Sequence, residues 1–202
     1  MSMTLRVVIP PHPLIGHWLS ILRHKTTPGP IYSTGLEQIG KWLTYEALRE
    51  WIPYRTEKID TNKSETEGII IDSAIPILGL TKFKNGLQLW MGARELLPNA
   101  TLCLDTIPHN IDDKSGVIIY VDQIIKGDEI LPSLETLVKY RIGMDQIRVI
   151  TALTSNEGLI NIAKDFPQLT IYSTCIDPDI ANENELIPGI GDPQYRINTR
   201  VA

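Results

Sequence analysis

The chain has 202 residues, 43% of them hydrophobic and 21% charged, with a net charge of -5; that is enough apolar material to build the core of one domain. The sequence has no long basic run and no apolar stretch near the ~20 residues of a membrane span, which argues against nucleic acid as a partner and against a membrane-spanning role. Cys103 and Cys175 both lie in apolar, strand-like runs, and the N-terminus lacks a charged-then-apolar signal pattern. Together these predict a reducing compartment: the cytoplasm or, for an organellar protein, the plastid stroma.

Residues 1–11 are expected to be an extended arm. Pro13 suits the first turn of a helix, and Leu14, Trp18, Ile21 and Leu22 fall on one face of it. Residues 26–30, T-T-P-G-P, form a turn. A second helix opens where Thr34 and Glu37 have capping-box spacing, buries Leu36, Ile39, Leu43 and Ala47, and ends before Pro53. Residues 56–68 are polar and aperiodic, an exposed loop or ragged hairpin. Residues 69–71 and 74–78 read as one continuous apolar strand. Residues 85–97 read as a helix with Leu87, Trp90, Met91 and Leu97 inward, residues 100–104 as a short strand, and residues 105–116 as a polar connection.

Residues 117–132, V-I-I-Y-V-D-Q-I-I-K-G-D-E-I-L-P, are a buried strand running into Asp122, a polar loop, and the start of a helix over residues 132–141 that buries Leu134, Leu137 and Val138. This is half of a βαβ unit. Open α/β sheets bind ligands outside the carboxyl ends of their strands, which selects the loop after Asp122 as the place for one. A strand over residues 147–153 follows, then capping-box spacing at Thr154 and Glu157 with Leu159, Ile162, Ala163 and Phe166 on a helical face, then a strand over residues 169–175. Residues 177–202 form a turn-rich tail in which Gly189 and Gly191 flank Ile190 beside Asp192. Alternating strands and helices imply a mostly parallel sheet covered on both faces.

Several segments, taken in order from residue 10 to residue 197, resemble the uracil phosphoribosyltransferases. They include His12-Pro-Leu14, His17 to Arg23, Leu43-Thr-Tyr-Glu-Ala47, Ile75-Pro-Ile-Leu78, Asp122, Glu157-Gly158, Ile171-Tyr172, Ile176-Asp177 and residues 182–192. The resemblance implies a three-layer type I phosphoribosyltransferase fold in one domain over residues 1–202. N-terminal helices would cover residues 13–52, the sheet core residues 68–176, and a C-terminal hood residues 177–202. It also implies the making of UMP from uracil and phosphoribosyl pyrophosphate, with magnesium accompanying the sugar diphosphate, in a homodimer or larger assembly.

The chain departs from that pattern at four places. The family's phosphate loop, D-P-M-L-A-T-G-G-S, is here Asp122, Gln123, Ile124, Ile125, Lys126, Gly127, Asp128, Glu129 and Ile130. Asp128 and Glu129 thus replace the two glycines whose backbone N–H groups would face a phosphate. At ~4 Å and an effective dielectric near 20, each like-charge pair costs about 4 kcal/mol, and Lys126 can offset only one. Gly79 replaces the arginine that meets the diphosphate, and residues 105–116 are short and contain no arginine. Leu186, Gly191 and Asp192 match base-binding positions of the hood, but Pro193 has no N–H to donate. The expectation is a homologue impaired in phosphoribosyl transfer, acting through binding, regulation or assembly; the alternative is an active uracil phosphoribosyltransferase. No catalytic residue set is intact, no metal ligands are identified, and no cofactor is expected apart from magnesium in the active alternative. Expected partners are a second copy of the chain, an unidentified protein, and a nucleobase- or nucleotide-sized ligand.

Each singled-out residue has a plainer role as well. Asp122 could hold ribose hydroxyls or cap its loop, and Asp192 could face the ribose or close an Asx-turn. His12, His17 and Glu157 read as capping or packing residues, and Asp112-Asp113 as a solvated pair. Trp18, Trp42 and Trp90 read as core or dimer contacts.

Overall fold

The computed structural model describes residues 5–181 and 185–198. In chain order the elements are β1 (Arg6–Val8), α1 (Pro13–Arg23), α2 (Gly29–Leu48), β2 (Tyr54–Asp60), β3 (Glu65–Ile71), β4 (Ile77–Thr81), α3 (Leu87–Ala93), β5 (Thr101–Leu104), β6 (Gly116–Ile124), α4 (Leu131–Lys139), β7 (Ile147–Ser155), α5 (Asn156–Asp165), β8 (Thr170–Asp177), β9 (Asp179–Ala181), β10 (Glu185–Ile187) and α6 (Pro193–Asn198). Six strands form one sheet in the order β1-β8-β7-β6-β4-β5, parallel at every pairing. No helix among the described residues is long and apolar enough to cross a membrane.

Side chains of a strand alternate between faces, and β6 shows how this builds three layers. Ile118 and Tyr120 pack with Leu36, Ile39 and Leu43 of α2 and Leu89 and Trp90 of α3. Val117, Ile119 and Val121 pack on the other side with Leu134 and Leu137 of α4 and Ile162 of α5. The strand is apolar at nearly every position because both its faces are buried, as the continuous run in the sequence requires.

Several expectations are corrected. The arm contains β1, which pairs with β8; three residues are too few to show a period, and their partner is more than 150 residues away. α2 begins at Gly29 rather than near Thr34. Pro28 is its N-cap, a second proline sits in its first turn, and Thr34 donates back to the Pro30 carbonyl at 3.0 Å instead of capping. The expected continuous strand over residues 69–78 is two strands. Ile69, Ile70 and Ile71 belong to an antiparallel hairpin with β2, because Asp72 closes a turn by accepting from Ala74 N–H at 3.0 Å. On α1 it is Ile15 and Leu22 that are buried, while Leu14 is exposed; Met91 and Val138 are likewise exposed. The cap of α5 is Ser155, one residue after Thr154, and its Oγ accepts from Gly158 N–H at 2.8 Å.

Candidate functional site

β6 continues through Gln123 and Ile124, so the polar loop starts at Ile125. Its backbone is tied down from both sides. The N–H groups of Ile125, Lys126 and Gly127 all donate to the carboxylate of Glu129, at 2.7, 3.3 and 2.8 Å. On the other side the Ile125 carbonyl accepts from Ser155 Oγ, and the Lys126 carbonyl accepts from Asn161 Nδ2 at 3.0 Å. Gly127 holds a left-handed φ of +92°, which glycine adopts freely, and its carbonyl receives the Ile130 and Leu131 N–H groups at the start of α4.

Consecutive N–H groups converging on one point form an anion-binding concavity. Here the anion is part of the chain. The sequence suggested two carboxylates opposing a phosphate. The structure corrects this: Glu129 folds back into the cradle and takes its donors, while Asp128 is exposed. An i to i−2, i−3 and i−4 reach by one carboxylate is a local geometry that composition alone does not reveal.

Gly79 lies in β4 against the ring of Trp90. A Cβ at Gly79 would meet Trp90 Cζ3 at 2.4 Å and Cε3 at 2.6 Å. The ring is 5% exposed and packs edge-on to Tyr120 at 5.6 Å. The space that a side chain would need at Gly79 is filled by an indole, a pairing of two sequence positions eleven apart that periodicity assigned only to the helix face.

Asp122 is 5% exposed. Its N–H donates to Asn85 Oδ1 at 2.7 Å, and its own Oδ1 is buried with no hydrogen-bond partner. Burial pushes its carboxyl up to about 7, against the pull of the Gly86 N–H and with a further push from Asp192. Folded Asp122 therefore keeps a proton that the unfolded chain has already released between about pH 4 and pH 7. Stability must fall as pH rises through that window. Asp122→Asn should remove this fall; relative to wild type the variant should gain up to about 4 kcal/mol between pH 4 and pH 8 by urea unfolding, from a shift of about three units at 1.36 kcal/mol each. Parallel pH profiles for the two proteins would show that Asp122 is not held in this state.

The tail folds over the carboxyl end of β6. Asp177 receives Arg23 Nη2 at 2.6 Å and Gly189 N–H at 2.8 Å. Tyr32 OH donates to the Ile190 carbonyl at 3.2 Å. Arg196 lies 4.3 Å from the centre of the Tyr32 ring and donates to the carbonyls of Ile190, at 3.0 Å, and of Leu22. Gly191 takes a φ of +72°, and its carbonyl accepts from Gln123 Nε2 at 3.0 Å, so the hood is bridged directly to the end of β6. Asp192 Oδ1 accepts from Gln194 and Tyr195 N–H at 2.9 and 3.3 Å, and Pro193 occupies the first position of α6, where a missing N–H costs nothing. Between hood and loop lies a cleft of about 450 Å³ lined by Asp122, Gln123, Glu129, Leu186, Gly191, Asp192 and Pro193 among others, within the roughly 300–1,000 Å³ of small-ligand sites.

The structure thus brings Asp122 and the hood positions Leu186, Gly191, Asp192 and Pro193 to one cleft, and leaves Ile124 and Ile130 in the core. Gly79 does not line it. His12 caps α1 by accepting from Leu14 N–H at 3.2 Å and stacks on Trp42, and Asp112 accepts from Lys114 N–H in an exposed turn. Asn85, Ser155 and Asn161 were not singled out by sequence. A serine immediately before a helical run is a cap signal that would have found Ser155; Asn85 and Asn161 carry no comparable signal.

A family model described as Uracil phosphoribosyltransferase matches residues 8–197. The uracil phosphoribosyltransferase of Synechococcus elongatus is 30% identical over 213 aligned positions, covering 98% of each chain. The chloroplastic uracil phosphoribosyltransferase of Arabidopsis thaliana is 30% identical over 92% of this chain and 68% of its own. Among solved structures, the AQ2163 protein from Aquifex aeolicus superposes with a TM-score of 0.83 at 23% identity, over 97% of this chain and all of that one. Adenine phosphoribosyl transferase from Trypanosoma brucei superposes with a TM-score of 0.52 at 13% identity, over 85% of this chain and 83% of that one; these two likenesses concern the fold alone. With its parallel sheet, its hood and a family match that runs nearly end to end, the chain belongs to the uracil phosphoribosyltransferase family.

Proposed function

We propose that this chain keeps the uracil phosphoribosyltransferase fold without carrying out efficient phosphoribosyl transfer, and acts through binding, regulation or assembly. The observation that carries this reading is the Glu129 carboxylate held by three consecutive backbone N–H groups. A 5'-phosphate entering there would have to displace a carboxylate that already has charge-assisted hydrogen bonds. The leaving diphosphate fares no better. Gly79 lies under the Trp90 ring, residues 105–116 contain no arginine, and among the described residues lining the cleft there is no guanidinium to stabilise the charge that develops on departure.

One observation favours the alternative, an active enzyme making UMP. Asp122, Leu186, Gly191 and Asp192 still line a common cleft. The two readings separate on UMP formation from uracil, phosphoribosyl pyrophosphate and magnesium, run beside the Synechococcus elongatus relative. We expect a rate more than tenfold lower; a difference within tenfold is only about 1.4 kcal/mol of barrier and would favour the alternative.

The proposal includes a homodimer. Tyr54, Ile69 and Ile71 share one face of the β2–β3 hairpin and are 61%, 71% and 50% exposed. Leu102 and Leu104 are exposed on the edge strand β5. Clustered apolar exposure of this kind marks interaction surfaces. Sedimentation at micromolar concentration should show a dimer that Ile69→Lys with Ile71→Lys converts to monomer; a monomeric parent chain would count against it. A cytoplasmic or plastid-stromal location belongs to the same proposal, the Arabidopsis relative being named chloroplastic.

A further inference from the structure

The cleft beneath the hood is rich in acceptors and poor in donors. Among the described residues, carboxylates of Asp122, Glu129, Glu185 and Asp192 line it against a single ammonium, Lys84. The backbone donors of the loop are committed elsewhere, and the lining adds the side-chain amides of Asn85 and Gln194 to Lys84. The N–H groups of Ile125, Lys126 and Gly127 go to Glu129, the Gln123 amide goes to the Gly191 carbonyl, and Pro188 and Pro193 have no N–H. Leu186, Ile125 and Pro188 give the cleft apolar walls.

Against this background Asp122 carries the unmet acceptor of the site. It is 5% accessible, and its Oδ1 has no hydrogen-bond partner. A buried polar atom without a partner costs about 1–3 kcal/mol, more for a charged group, and such an atom in a native protein calls for an explanation. A donor supplied by a ligand would provide it. A neutral donor would satisfy the geometry, but only a cation also answers the excess of three carboxylates over the one ammonium, and only a charge-assisted bond gains fully from the low dielectric of the buried end of the cleft.

We infer that the cleft binds a phosphate-free, nitrogen-rich planar cation of nucleobase size, of the amino- or amidine-bearing heterocycle class, with Asp122 as its anchoring acceptor. This rests on the reading that the cradle is closed to phosphate and names what the remaining space selects. A carboxylate on such a ligand would meet the like charges of Asp122, Glu185 and Asp192, and a phosphate would meet Glu129. Uracil is neutral, so it would leave the excess of carboxylates without a counter-charge. Burial that resists ionisation of Asp122 is offset when a cation sits beside it, since an opposite charge favours the ionised form.

Three isosteric probes test the class: benzamidine, benzamide and benzoate, titrated calorimetrically into the full chain at pH 8, with uracil and UMP as further arms. Benzamidine should bind about tenfold or more tighter than benzamide, with benzoate, uracil and UMP weaker still, and Asp122→Asn should abolish the preference for the cation. Circular dichroism and thermal unfolding of Asp122→Asn establish that the variant is folded. Absence of benzamidine binding, equal binding of uracil or benzoate, or an unchanged benzamidine affinity in Asp122→Asn would each overturn the inference. Failure here is separable from failure of the functional reading, which turns on whether phosphoribosyl pyrophosphate binds: a chain that binds neither benzamidine nor the sugar diphosphate refutes only the cation site.

Discussion

Gly79→Arg should strongly destabilise this protein rather than restore a diphosphate contact. The first added carbon would lie 2.4 Å from Trp90 Cζ3, well inside van der Waals contact. The indole has nowhere to go, since it is buried and braced edge-on by Tyr120. Overpacking of a filled core costs about 1–3 kcal/mol, and a guanidinium forced into that core without a partner adds several more. Against a total stability of roughly 5–15 kcal/mol this is enough to unfold a large fraction of the chain. Gly79→Ala should show the steric part alone. Trp90→Ala removes the obstacle at a cost of about 3–5 kcal/mol, and in that background Gly79→Arg should cost much less than in the parent, because the two positions share one space. Urea unfolding of the four proteins gives the coupling directly. Additive effects would mean that the ring is not what closes the position.

Glu129→Ala should create an anion site where the parent chain has none. Removing the carboxylate frees the Ile125, Lys126 and Gly127 N–H groups, which the Ser155 and Asn161 bonds to the neighbouring carbonyls keep aimed at the same point. It also removes a like charge worth about 4 kcal/mol at ~4 Å before screening, so inorganic phosphate should bind roughly a hundredfold or more tighter than to the parent. Asp128→Ala is the control. That side chain is exposed, and surface changes of this kind fall within about 0.5 kcal/mol. Phosphorus NMR line widths of free phosphate titrated with each protein would distinguish the variants. A larger gain from Asp128→Ala than from Glu129→Ala would show that the cradle is not organised around Glu129. Even with phosphate admitted, turnover should stay low while Gly79 lies under Trp90.

Much of this was readable from the sequence wherever the signal was local and repetitive. The stripe of Leu36, Ile39, Leu43 and Ala47 in α2 and the apolar run of β6 follow from a helix and a strand that bury one and two faces respectively. The order of strands and helices gave the α/β class, and the quoted segments gave the family. What escaped depended on contacts between distant or oddly spaced residues. β1 is three residues long and exists only because β8 offers an edge. The isoleucines at 69–71 look like core to any hydropathy scale, yet Asp72 turns the chain before it reaches the sheet. Gly79 was recognised as a missing arginine, but the indole that has taken over its space could not be paired with it from spacing. Glu129 was recognised as a misplaced charge. That it satisfies the very donors it displaces a ligand from is a matter of backbone direction, which no side-chain pattern encodes.

The central claim is that the ribose-phosphate end of the site is already occupied by the chain itself. Calorimetric titration of the unmodified protein with phosphoribosyl pyrophosphate and magnesium tests it most directly. With Glu129 in the cradle, no binding should be measurable up to about millimolar ligand, a free energy weaker than roughly -4 kcal/mol. Saturable binding in the micromolar range, left intact or weakened by Glu129→Ala, would contradict it.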